Sequence, residues 1–220
     1  MTRTAKGYKG VGMEGSIARW YATNTGKDRQ RHLDQARMAA ERTPQGGAIL
    51  EIAPGPGYTS IELARTGEFT VTGLDISSTF VQIAERNAAD AGVSVDFRLG
   101  NAATMPFRSE TFDFVLCCAA FKNFAEPVLA LREMCRVLRP DGRALIVDLR
   151  RDVTKQAVAE DVGKMGLNKV NSAMTRFTLS SVLPRRAYTK AEFARLVAHT
   201  DFASSEIVEQ PLSLEIDLFR

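Results

Sequence analysis

The residues with the types and spacing to do chemistry begin in "LEIAPGPG", residues 50–57. Here Glu51 precedes a run of small residues, Ala53, Gly55 and Gly57. Such a run lets a backbone approach a ligand closely. Asp75 closes "VTGLD", 20 residues beyond Gly55. In a strand, loop, helix and strand unit, a carboxylate at that remove can hold both hydroxyls of a ribose, which points to a nucleoside-containing cofactor. The dinucleotide fingerprint G-x-G-x-x-G is broken at Ala53 or at Ser60, according to where it is read. Glu51 near the mouth of the pocket would oppose a pyrophosphate and favour a cation. S-adenosylmethionine, which has no phosphate and carries a sulfonium and an ammonium, is the expected cofactor.

A sulfonium methyl is already activated, so its transfer needs alignment and exclusion of water more than it needs a base. The candidate catalytic residues are Lys122 and Asn123 in "FKNF" and Tyr21 in "RWYA", with Asp148 and Tyr188 as further polar groups near the expected pocket. Lys122 lies between Phe121 and Phe124. It is read either as a desolvated base or as an ammonium that stays solvated or binds an acidic substrate group. His32 and His199 are placed outside the reaction. Asp113 is read as structural. Cys117 and Cys118 point to opposite faces of a strand and make no redox pair. With Cys135 as the third cysteine, neither a disulfide framework nor a metal site is expected.

The elements that must position these groups follow from hydrophobic period. Strands are expected at 48–53, 69–75, 93–99, 112–119 and 143–149, with helices at 58–66, from Ser77 or Ser78 to Gly92, and at 126–138. A further helix, "KAEFARLVAHT", and two closing strands, "SSEIVEQ" and "LSLEIDLF", complete the chain. This alternation implies an α/β fold with a Rossmann-like, doubly wound, mostly parallel sheet of seven strands and helices on both faces. Ligands in such sheets bind at the carboxyl ends of the strands, at the topological switch point. That edge would carry Glu51 to Gly57, Asp75, Asn101, Ala102 and Cys118. The 29 basic and 26 acidic residues leave a net charge of +3. No clustered basic stripe for nucleic acid and no apolar run long enough for membrane insertion is evident. The leader lacks an apolar core, so a cytoplasmic location is expected.

Five stretches in register over about 100 residues resemble the class I S-adenosylmethionine-dependent methyltransferases, in their small-molecule, quinone-biosynthesis-like branch. They are "LEIAPGPG", "VTGLDIS", "RLGNAATMPF", "ETFDFVLCCAAFKNF" and "LREMCRVLRPDGRALIVD". The resemblance implies an antiparallel last strand and assigns the ribose to Asp75 and the adenine to Ile76, Asn101 and Ala102. Ala53 stands where the family most often has glycine. Asn101 replaces an acidic residue, and its amide oxygen can still accept the adenine amino hydrogen. "FKNF" replaces a His-containing pattern. The implied activity is methyl transfer by SN2 to a small-molecule acceptor. Residues 1–45 would be a helical lid or cap, and 46–220 the methyltransferase domain, with 151–187 an insertion covering the substrate. In the lid, Tyr8, Met13, Trp20 and Tyr21 would close over the site on glycine hinges at Gly7, Gly10, Gly12 and Gly15. Met165, Met174 and Phe177 would form the other half of the cover, and Arg185 with Arg186 is either a solvated turn or an anion site. A homodimer is allowed. The alternatives are an NAD(P)-dependent Rossmann oxidoreductase and a protein that binds S-adenosylmethionine without methylating.

Overall fold

The computed structural model describes residues 7–9, 12–26, 28–164 and 169–220. Gly10 and Met165 therefore lie outside the described residues. Seven strands form one sheet: β1 (Ala48–Ile52), β2 (Thr70–Asp75), β3 (Asp96–Leu99), β4 (Phe112–Cys118), β5 (Leu138–Leu149), β6 (Ser204–Glu209) and β7 (Ser213–Phe219). Their spatial order is β3-β2-β1-β4-β5-β7-β6. The first five are mutually parallel, and β7 runs antiparallel to both β5 and β6. Strand order reverses direction between β1 and β4, which makes their carboxyl ends the switch point.

Alternation along the central strands builds a core on each face of the sheet. Leu50, Val115, Cys117 and Ile146 pack toward α5 (Pro127–Val137) and α8 (Lys190–Val197), against Met134 and Phe193. Ile49, Phe114, Leu116 and Leu145 pack on the other face, with Leu63 of α3 (Tyr58–Arg65) and Ala36 and Ala39 of α2 (Arg29–Ala40). The segment expected to act as one lid is thus divided. Small residues let α2 join the helical layer, and α1 (Gly15–Thr25) buries Ala18 and Ala22 and runs beside α4 (Ser78–Asp90). Trp20 and Ile17 of α1 face outward.

Two expected boundaries move. β3 begins at Asp96 rather than 93, because Val93 and Val95 turn inward to pack against Ala84, Ala88 and Phe97 instead of continuing the edge ladder. β5 begins at Leu138, with Asp141 at φ 64° and a register slip opposite Phe112 and Phe114, so the expected Pro-Asp-Gly turn is an irregularity within the strand. Among the described residues, no helix is long and apolar enough to cross a membrane.

Candidate active site

The loop after β1 is shaped by backbone angles that side chains usually resist. Ala53, Gly55 and Gly57 have φ of 56°, 55° and 81°. At Gly57 a Cβ would lie 2.7 Å from Phe97 Cζ and 2.9 Å from the Ala84 methyl, so glycine is required there for both angle and space. At Gly55 the nearest heavy atom to such a Cβ is Tyr21 Cε1 at 4.0 Å, so there the angle alone favours glycine. Ala53 holds its angle through an N–H bond to the Leu74 carbonyl at 2.7 Å. A left-handed alanine costs about 1–2 kcal/mol, part of which glycine would return as unfolded-state entropy. Ala53→Gly is therefore expected to raise unfolding free energy by up to about 1 kcal/mol in urea titration, and Ala53→Val, with a branched Cβ at the same angle, to lower it.

Asp75 ends β2 with 5% of its surface exposed. Its Oδ2 accepts the Gly55 N–H at 3.0 Å and its Oδ1 accepts the Ser77 N–H at 2.9 Å. The carboxylate thus ties the glycine loop to the start of α4. Burial raises its pKa to about 6, against the pull of those N–H groups. Glu51 lies deeper, 4% exposed beneath the loop, where it accepts a hydrogen bond from the Ser60 hydroxyl; burial raises it to about 7. It is not at the pocket mouth, where the sequence reading put it, because β1 carries it inward and α3 covers it. Its charge reaches the cleft only through the field.

A cleft of about 290 Å³ opens over these strand ends. Ile52, Ala53, Leu74, Asp75, Ile76, Ser77, Gly100, Asn101, Ala102, Ala120 and Phe124 line its base and sides. Gly7, Tyr8, Gly12, Met13 and Glu14 lie along it from the N-terminal arm. The expected cofactor residues Ala53, Asp75, Ile76, Asn101 and Ala102 are brought together here. Gly55 and Gly57 shape the loop behind the wall, and Cys118 points to the opposite face of the sheet, packed partly against the α2 and α3 layer. Asn101 Oδ1 accepts the Ala103 N–H at 3.0 Å, which fixes the amide at the cleft wall with one lone pair still open.

The arm is fastened at both ends. Tyr8 bridges to Phe124, and the Lys9 N–H donates to the Asn123 carbonyl at 2.7 Å. Ser77 Oγ donates to the Met13 carbonyl at 2.7 Å. The Glu14 carboxylate accepts N–H bonds from Ser78 at 2.9 Å and Thr79 at 3.1 Å, so it caps the positive end of α4, and these bonds outweigh its slight burial to lower its pKa. Neither Glu14 nor the wall position of Ser77 was read from sequence. Glu14 lies 64 residues from Ser78, and no local pattern announces a cap supplied from so far away. Tyr8, rather than Tyr21, is the arm's aromatic on the cleft. Tyr21 packs edge-on against Phe80 with centroids 5.7 Å apart, beside Gly55. Burial raises the pKa of both phenols.

The reading of Lys122 as a base or solvated ammonium needs correction. Its Nζ donates to Asp148 Oδ1 at 2.7 Å and to the Ala119 carbonyl, while its backbone N–H donates to Asp148 Oδ2 at 2.7 Å. Both side chains are buried, so the ammonium is held as a structural cation at the exit of β4. The phenylalanine flanks signalled burial correctly, but not the carboxylate that compensates it. Asn123 ends a single 3-10 turn (Phe121–Asn123) and contacts the arm through its carbonyl. Tyr188 accepts a hydrogen bond from Lys9 Nζ at 2.9 Å and packs on Phe121 and Phe193. His32 bridges Thr59 Oγ1 at 3.2 Å and the Thr25 carbonyl at 3.3 Å, away from the cleft. Met174 and Phe177 do not line the cleft.

Among the described lining residues there are two carboxylates, Asp75 and Glu14, and no lysine or arginine. A buried carboxylate beside apolar walls and one amide suits the diol and base of a nucleoside, and the charge set does not suit a pyrophosphate. The donor set therefore fits S-adenosylmethionine.

Residues 50–146 match the family model of a methyltransferase domain. A demethylmenaquinone methyltransferase from Deinococcus radiodurans is 32% identical over 124 residues, covering 56% of this chain and 51% of that protein. The chain spans about half the length of the curated relatives it matches. A SAM-dependent methyltransferase from Aquifex aeolicus superposes with a TM-score of 0.70 at 16% identity, over 91% of this chain and 97% of that one. The plantazolicin methyltransferase BpumL, solved with a desmethylPZN analogue and SAH, gives 0.69 at 16% identity, over 92% and 88%. These two likenesses establish the shared fold.

Proposed function

We propose that this protein is an S-adenosylmethionine-dependent methyltransferase acting on a small-molecule acceptor, a reading supported by the match of residues 50–146 to the family model of a methyltransferase domain. The observation that carries the reading is the cleft at the switch point, with Asp75 buried in its wall and no cationic side chain among its described lining residues. The names of the curated relatives and of the plantazolicin enzyme support a small-molecule acceptor over a macromolecular one.

When bound, S-adenosylmethionine supplies an activated methyl for in-line displacement by the acceptor. Asp75 would accept hydrogen bonds from the ribose hydroxyls while its backbone donors hold the carboxylate in place. Ile76 and Ala102 would flank the adenine, and Asn101 would read its amino group. The left-handed turn from Ala53 to Gly57 would let the backbone approach the methionine portion. Tyr8 and Met13, held over the cleft by the fastened arm, would exclude water from the transfer. The lid would comprise the described arm residues 7–9 and 12–14, with Tyr21 packed beside the glycine loop. Residues 151–187 would cover the acceptor side, next to Tyr188, whose hydroxyl accepts a hydrogen bond from Lys9 Nζ of the arm.

Titration calorimetry tests the reading. S-adenosylmethionine and S-adenosylhomocysteine are each expected to bind in the micromolar range, and NAD is not. Tight NAD binding without either nucleoside would overturn it. The carboxyl groups add a pH signature. Asp75 and Glu51, at about 6 and about 7, are protonated in part below neutrality, and a bound cation favours their ionised forms. Affinity for S-adenosylmethionine is therefore expected to rise with pH through that window, by roughly ten- to a hundredfold between pH 5.5 and 8. S-adenosylhomocysteine, without the sulfonium charge, is expected to gain less over the same range.

A further inference from the structure

The thirty residues between Asp161 and Glu192 contain no acidic residue, and hold Lys164, Lys169, Arg176, Arg185, Arg186 and Lys190. It is the longest acid-free stretch of the chain, and its charge of +6 is twice the net charge of +3 for the whole protein. Within it, α7 (Lys169–Phe177) and the following turn (Thr178–Val182) present apolar side chains to solvent. Met174 is 65% exposed, Phe177 63% and Val182 46%. Met174 and Phe177 are three residues apart and share a helix face, while Arg176 points elsewhere around the helix. Arg176, Arg185 and Arg186 are exposed, and among the described residues no carboxylate pairs with any of them. The nearest acids in sequence, Glu160 and Asp161, lie on α6 (Lys155–Lys164), which packs against α7.

Exposed Met and Phe need covering by something apolar, and an unneutralised basic flank needs something anionic. A helix with large apolar side chains on one side and basic residues around it meets both needs when it lies in the headgroup region of an anionic bilayer. We propose that α7 and the turn after it form a peripheral docking face for an anionic lipid surface. The geometry also links this face to the cleft. Arg186 Nη1 donates to the Lys9 carbonyl at 2.8 Å, and Lys9 joins the arm to Tyr188. Docking there brings the surface beside the segment that lines the cleft. The inference does not depend on methyl transfer.

Co-sedimentation of the full chain with vesicles tests it, comparing phosphatidylcholine alone with phosphatidylcholine containing about one third phosphatidylglycerol. Binding at least tenfold stronger to the anionic vesicles is expected, falling as salt rises from about 0.05 to about 0.5 M. The double variant Met174→Glu, Phe177→Glu should lose this binding. Arg185→Gln and Arg186→Gln should each weaken it by about fivefold. The Met174, Phe177 variant and Arg185→Gln should keep the wild-type melting profile, which separates lost docking from lost folding, whereas Arg186→Gln also removes the bond to the Lys9 carbonyl. Equal binding to both vesicle types, or unchanged binding by the Met174, Phe177 variant, would overturn the proposal. So would vesicle-free self-association that Phe177→Glu abolishes, or capture by an anionic oligonucleotide with no vesicle binding.

Discussion

Asp75→Ala is expected to weaken binding of S-adenosylmethionine by a hundredfold or more, about 3 kcal/mol, in titration calorimetry. The proposed bonds to the ribose hydroxyls account for part of this, since each charge-assisted hydrogen bond contributes about 1.5–3 kcal/mol. The remainder comes from the loop. Gly55 and Ser77 donate to the same carboxylate, and alanine leaves both N–H groups without it. The glycine loop then loses its tie to the start of α4 in the empty protein as well. Asp75→Asn separates the two effects. Its amide oxygen can keep one backbone donor, so the fold should be retained more fully than in the alanine variant, with affinity still reduced by loss of the charge. Wild-type affinity in both variants would remove Asp75 from the binding site.

Lys122→Met is expected to destabilise the protein by about 3–5 kcal/mol in urea denaturation. The cause is Asp148, whose carboxylate would remain buried after its cation is removed. The Ala119 carbonyl would lose a donor at the same time, and Ala119 has φ of 57° at the exit of β4. Adding Asp148→Asn should recover part of the loss, because removal of both charges leaves no unpaired ion. A catalytic base at Lys122 predicts the opposite pattern, with stability close to wild type, cofactor affinity intact and turnover lost. The double-mutant cycle distinguishes the two, since a base has no reason to couple its stability to Asp148.

The fold was largely legible because its signals are local and repeated. Ile49 and Leu50 on β1, and Phe114 through Cys117 on β4, alternate between two cores, and that alternation is written in the apolar run itself. The glycine loop was legible for a similar reason. Gly57 and the left-handed turn it permits lie within a few residues of the strand they terminate. The roles of Glu14, Lys122 and Glu51 were less legible, because each is set by a partner on another element. Glu14 caps a helix that begins at Ser78. Lys122 is neutralised by Asp148, and Glu51 is covered by Ser60 of α3. A side chain's ionisation and accessibility depend on what packs against it, and the type of residue alone does not carry that information.

The sequence by itself determined the order of the seven strands and of the helices between β1 and β5, the turn that places Ala53, Gly55 and Gly57, and the carboxylate of Asp75 at the end of the second strand; α6 and α7 within 151–187 were not among its expected elements. Hydrophobic period and turn chemistry act over a few residues and so can be read without the fold. Only the tertiary structure decided that Gly7, Tyr8 and residues 12–14 lie along the cleft while α2 joins the helical layer, that Tyr8 and not Tyr21 faces the cleft, and that Lys122 is a buried ion-pair partner. It also decided that Met174 and Phe177 face solvent instead of the cleft. Those outcomes depend on contacts between segments tens of residues apart, where burial and charge compensation are set by the whole packed molecule.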